Sequence, residues 1–177
     1  MNSAFWPIYE AGEVRRFHTT RVLHPQSVGE HSWGVAFILQ WLCYPLLPSA
    51  AVLCAALCHD LPESETGDVP APAKWRHAKL AEALDVAELD FVSTHGLEYD
   101  KLTLTTAEMR LLKFADMADL VAYCLIERRM GNTRLNTTAK TGINKMLDLL
   151  IDPPPLPTRA RLLYDTFIEE VRHNGSE

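Results

Sequence analysis

Ser27-Val28-Gly29-Glu30-His31-Ser32-Trp33-Gly34-Val35-Ala36-Phe37-Ile38-Leu39-Gln40-Trp41-Leu42-Cys43 carries both a helix start signal and a helix period. Ser27 followed by Glu30 is a capping box, in which side chain and backbone at the first turn satisfy each other's hydrogen bonds. Val28, His31, Val35, Ile38 and Leu42 recur at spacings of three and four, so they form one core-facing stripe. His31 sits on that stripe. Pro45 and Pro48 end the helix, and Pro48 can open the next.

Working outward, Ser49 to Asp60 is rich in Ala and Leu and nearly apolar all round, which predicts a buried second helix. Leu61 to Pro72 holds three prolines and a glycine, the pattern of an irregular but ordered loop. A helix is expected from Lys74 to Thr94, then a polar turn through Gly96 and Asp100. Thr105 and Glu108 form a second capping box, opening a long helix that ends at Gly131. Asn132 to Ile151 and Thr158 to His173 read as two more helices, separated by Pro153-Pro154-Pro155. No repeat and no period-two alternation is present, so the expected fold class is all-α.

The 177 residues suit one domain. An apolar fraction of 47% with 23% charged residues excludes disorder and coiled coil. A net charge of −6, from 17 basic and 23 acidic residues, speaks against extended nucleic acid or an anionic membrane as partner. Val35 to Leu47, the longest apolar run, is interrupted by Gln40 and Pro45 and is too short to span a bilayer. Met1 to Glu10 lacks the basic and apolar parts of a signal peptide, which predicts a cytoplasmic protein (host cytoplasm if viral). Cys43, Cys54, Cys58 and Cys124 lie in apolar helical surroundings and are expected to be buried, reduced thiols. Trp33, Trp41 and Trp75 are expected to pack.

Polar residues on apolar stripes carry the chemistry. Val52, Ala55 and His59 share one face of the second helix; Leu53, Ala56 and Asp60 share the next. In the long helix, Asp116 stands on the stripe of Met109, Leu112, Leu120 and Tyr123, where a leucine would be expected. Unpaired buried carboxylates are costly, so Asp60 and Asp116 call for a common partner. Two imidazoles and two carboxylates suit a divalent transition metal such as zinc, cobalt or manganese. Taken singly, each has a blander reading: a hydrogen-bonded core histidine for His31, a helix-end cap for Asp60, a pair with Lys113 or Arg110 for Asp116.

Glu30-His31-Ser32, Cys58-His59-Asp60-Leu61-Pro62-Glu63, Thr66-Gly67-Asp68-Val69-Pro70 and Lys113-Phe114-Ala115-Asp116 together resemble the HD-domain phosphohydrolases. The H…HD…D order with HDxxE and TGD-P is similar to the small nucleotidase branch. That branch holds the bacterial 5′-deoxynucleotidases and the short phage dATP triphosphohydrolases of viruses that use 2-aminoadenine. The resemblance runs from about Ala11 to Asn132 and implies one HD domain over 1–177, with C-terminal helices that carry no motif. It implies His31, His59, Asp60 and Asp116 as metal ligands. Glu63 would orient or deprotonate the attacking water, with Asp68 assisting or protonating the leaving oxygen. Arg16 would neutralise the α-phosphate, and Lys74 and Lys113 would reach phosphate oxygens. Phe17, where the family often has tryptophan, would stack on the nucleoside, and Thr19 and Pro72 would pack around the base.

The resemblance further implies hydrolysis of a deoxynucleotide by water activated on the metal. The segments Ala11 to Arg16 and Pro70 to Lys74 look closer to the phage branch, which favours dATP cleaved to deoxyadenosine and triphosphate, depleting the dATP pool. A 5′-deoxynucleotidase acting on monophosphates is the second reading. A nucleotide-sensing or structural metal domain is the reading from another class, against which Glu63 and Asp68 count. The branch also implies a homo-oligomer, dimer or hexamer.

Overall fold

The computed structural model describes residues 5–95 and 104–173 of the chain. The expected turn through Gly96 and Asp100 lies outside the described residues. Nine helices are present among those described: α1 (Phe5–Ala11), α2 (Val28–Cys43), α3 (Ala50–Cys58), α4 (Glu63–Thr66), α5 (Ala71–Arg76), α6 (Ala78–His95), α7 (Thr106–Arg129), α8 (Asn136–Ile151) and α9 (Thr158–His173). Among the described residues, extended pairing is limited to an isolated bridge between Arg15 and Ser27. None of the helices is long and apolar enough to cross a membrane.

Both capping boxes form as the sequence predicts. Ser27 Oγ accepts from Glu30 N while Glu30 Oε2 accepts from Ser27 N; Thr105 and Glu108 do the same for α7. The far end of α7 closes in a Schellman motif. Gly131 takes φ +94, its N–H reaches Arg128 O, and Asn132 N–H reaches Glu127 O. Glycine is favoured there because a side chain strains that backbone conformation.

Helix α7 is the axis of the fold and packs on α2, α3, α8 and α9. Phe114, Ala115, Ala118 and Val121 are fully buried in the core they share with Val35, Leu39 and Met146. Burying a ring such as Phe114 stabilises the fold by about 2–3 kcal/mol. The segment 12–27 folds back on itself ahead of α2. Gly29 N donates to Gly12 O, Val28 N to Val14 O and Arg16 N to Gln26 O. Its crest is held by Glu127, a wholly buried carboxylate that accepts from Leu23 N, His24 N and Asn132 Nδ2.

Four expectations are corrected. The helix predicted from Lys74 to Thr94 is two, because His77 leaves helical geometry at φ −127, ψ 86 and caps α5 through its N–H. The α5 ring Trp75 packs against the core while Val86 and Leu89 of α6 face outward. Helix α3 is not buried all round: it rests on α2 and α7 by one face, and Cys54 and Leu57 on the other are exposed. Of the four free cysteines Cys124 alone is buried; Cys43 and Cys58 are half-buried. Trp33 is 67% exposed and stacks on Phe37 at 5.6 Å instead of entering the core. Two further features went unread in the sequence: α1, and the short α4 inside the proline-rich loop.

Candidate functional site

Three helices deliver the polar residues of the apolar stripes to one point. His31 comes from the second turn of α2, His59 and Asp60 from the C-terminal end of α3, and Asp116 from the middle of α7. Ligand atoms of His31, His59 and Asp116 all lie within 4.8 Å of one another. Asp116 Oδ1 is 3.3 Å from His31 Nε2, and Asp60 places Oδ2 3.5 Å from His31 Nε2 and Oδ1 3.5 Å from His59 Nε2.

The two imidazoles are oriented from behind. His59 Nδ1 lies 2.9 Å from Ala56 O, a carbonyl that can only accept, so Nδ1 carries the proton. His31 Nδ1 lies 2.6 Å from Asp119 Oδ2. Both Nε2 atoms are buried, face the cluster and have no hydrogen-bond partner. Burial and the Arg16 charge would lower the His31 pKa, but Asp116, Asp119 and Asp60 prevail and push it up to about 9. The carboxylates around the ring favour positive charge at Nε2, and a metal cation held there would take the place of the proton. Nitrogen and oxygen donors in this arrangement fit a divalent transition metal, with His31, His59, Asp60 and Asp116 able to hold it.

Around the cluster the electrostatics diverge. Burial alone would raise the Asp60 pKa; His59, Arg16 and His31 beside it outweigh burial and hold its carboxyl well below the usual range. Glu63 moves the opposite way. Burial, then the neighbouring charges of Asp60 and Asp68, push it up to about 8, against the pull of Lys74 and Arg16. Its Oε1 is 3.6 Å from Lys74 Nζ, and its Oε2 is buried without a partner. Two acids at one site with separated proton affinities is an arrangement suited to proton transfer.

A cavity of about 220 Å³ adjoins the cluster, with Asp60 and Asp116 on its wall. Arg16, Phe17, Thr19, Asp68, Pro72, Lys74 and Lys113 line it too, so every phosphate and base contact expected from the sequence meets at one opening. His31, His59 and Glu63 do not reach that wall. Arg16 Nη1 donates to Asp60 Oδ2 at 2.7 Å, leaving Nε unpaired. Phe17 adopts φ +57, its N–H donates to Asp68 Oδ2 at 3.0 Å, and its ring stacks on Tyr123 with centroids 4.6 Å apart.

Sequence reasoning missed Asp119 and Gln26. Asp119 follows Asp116 by three positions, so the helical period that exposed one would have flagged the other. Gln26 lies in an irregular segment, where no period exists to mark it. Trp75 was expected to pack near the pocket and does line the cavity.

Residues 5–154 match the family model described as 5′-deoxynucleotidase YfbR-like. A dATP triphosphohydrolase of cyanophage S-2L is 34% identical over 119 residues, covering 64% of this chain and 65% of that protein, just under two thirds of its length. A 5′-deoxynucleotidase of Pectobacterium atrosepticum is 25% identical over 155 residues, 77% of each chain. Among solved structures, the cyanophage S-2L HD phosphohydrolase, bound to dA and one catalytic Zn2+ ion, superposes with a TM-score of 0.65 at 20% identity, over 98% of this chain and 97% of that one. An HD-domain phosphohydrolase from Listeria innocua gives a TM-score of 0.72 at 20% identity, over 98% and 88%. These structural neighbours share the all-helical fold described above, and the match over residues 5–154 places this chain in the 5′-deoxynucleotidase YfbR-like family.

Proposed function

We propose that this protein is a metal-dependent hydrolase of deoxynucleotides and that its substrate is dATP, cleaved to deoxyadenosine and triphosphate. The observation that carries the reading is the convergence of two histidines and two aspartates beside a cavity lined by Arg16, Lys74 and Lys113. The metal, zinc by analogy with the phage neighbour or else cobalt or manganese, would polarise the phosphate and supply nucleophilic water at neutral pH.

The chain's own residues do the rest. Arg16 keeps its Nε free for an α-phosphate oxygen while Nη1 holds Asp60. Lys74 and Lys113 add positive charge on the cavity wall, where the phosphate chain would lie. Glu63, with Oε2 buried and a proton affinity near neutrality, takes the proton of the attacking water. Asp68 serves the leaving oxygen and also pins the Phe17 backbone, so the ring can present its face to the nucleoside.

Triphosphate cleavage is favoured by the 34% identity to the phage enzyme, against 25% to the deoxynucleotidase. The longer alignment with the latter, and the family's description, keep monophosphate hydrolysis as the second reading. Product analysis of the metal-loaded protein with dATP, dGTP, dAMP and ATP, each alone, separates them. Deoxyadenosine with intact triphosphate from dATP supports the first; orthophosphate from dAMP with dATP untouched supports the second. A purely structural metal site predicts no turnover at all, and predicts that Glu63→Ala changes nothing but stability. An enzyme instead keeps its metal in Glu63→Ala and loses about 10²–10⁴-fold in kcat.

A further inference from the structure

We propose that Asp119 is a positioning residue of the metal centre, holding His31 with Nδ1 protonated so that Nε2 faces the ion, and that Gln26 and Gly34 in turn hold Asp119. The inference rests on the metal-site reading given above. Asp119 Oδ2 lies 2.6 Å from His31 Nδ1, and Gln26 Nε2 donates to the same oxygen at 3.1 Å. All three side chains are buried. Helix α7 thus presents Asp116 to the front of His31 and Asp119, one turn on, to its rear.

Gly34 completes the arrangement. It follows His31 by three positions on α2, and a methyl built on it would collide with Asp119 Oδ1. The second carboxylate oxygen occupies the space that any larger residue would fill. An imidazole free to choose its tautomer can place a proton on Nε2, the form that repels a cation. A buried carboxylate bound to Nδ1 removes that choice and makes the ligating nitrogen more basic. Asp119 also borders a groove between α2 and α7 of about 480 Å³, so the isosteric change to asparagine disturbs no tightly filled core.

The alternative is that Asp119 merely satisfies a buried histidine. That role would change the stability of the metal-free fold and leave the affinity of the folded protein for metal alone. The full chain is therefore examined as wild type, Asp119→Asn, Gly34→Ala and Gln26→Ala. Zn2+ affinity is measured by chelator competition, the Co2+ absorption spectrum is recorded, and the metal-free protein is melted. Asn at 119 can donate to Nδ1 and so stabilise the wrong tautomer, while Gly34→Ala displaces the carboxylate without changing its charge. Both variants are expected to bind Zn2+ about 10–100-fold more weakly, with an altered Co2+ spectrum, and Gln26→Ala to show a smaller loss of the same kind. If Asp119→Asn does not fold, the other two variants decide by the same readings. Affinity within about twofold of wild type in the folded variants, with unchanged spectra, overturns the inference and leaves the metal site standing. A wild-type chain that binds no metal overturns both.

Discussion

Arg16 and Asp60, 44 positions apart, are joined by a hydrogen bond of 2.7 Å from Nη1 to Oδ2, with both side chains at least 85% out of solvent. A residue proposed for phosphate is thereby tied to one proposed for metal. A guanidinium can do both because its nitrogens point along separate edges of one plane. Lysine offers one compact charge. Arg16→Lys is accordingly expected to retain metal and lose about 10²–10³-fold in kcat/KM, the range of removing one transition-state donor. Steady-state kinetics with metal content by mass spectrometry check both halves.

Phe17 offers the cavity a ring already stacked on Tyr123, on a backbone held by Asp68. Phe17→Ala keeps the φ +57 backbone within reach of the same N–H bond but removes the stacking face. KM for the deoxynucleotide should rise about tenfold, with kcat changed less, since stacking on the nucleoside is made in ground and transition states alike. A fall in kcat with KM constant would show that the ring acts at the reacting centre instead.

Glu127 sets an acid limit on stability. Burial would raise its pKa, but the bonds from Leu23 N, Asn132 and His24 N overcome burial and hold it below the usual carboxylate value. With the folded pKa below the unfolded one, its contribution is present in full above about pH 4.5 and fades as pH falls toward the folded value. Glu127→Gln turns part of an acceptor into a donor facing donors. It should lose about 2–3 kcal/mol at pH 7, roughly 5–10 °C in Tm. The gap to wild type should narrow below pH 4.5. Thermal melts at pH 7 and at pH 4 test the sign.

Gly131 provides a control outside the cavity lining. At φ +94 an alanine is strained, so Gly131→Ala should lower unfolding free energy by about 1 kcal/mol while kcat and KM stay as in wild type. Urea denaturation read beside activity separates the two effects.

The sequence by itself determined the features whose causes lie within a turn or two of chain. The capping boxes at Ser27 and Thr105, the glycine stop at Gly131 and the 3.6-residue stripes on α2 and α7 depend on neighbours three or four positions away. His31 and Asp116 were legible because each breaks such a stripe. The irregular loops carry no period, so Arg16, Phe17 and Asp68 could be reached through resemblance to a family but not from physical pattern. Only the tertiary structure decided that α3 leaves Cys54 and Leu57 in solvent, since burial of a face depends on which helices arrive to cover it. It likewise decided that Arg16 meets Asp60, that Glu127 holds the segment before α2, and that Asp119 sits where Gly34 has no side chain. Those contacts join residues 44 to 104 positions apart, and no local rule links their identities. They form because packing α2, α3 and α7 around one core brings these buried polar groups within reach of one another.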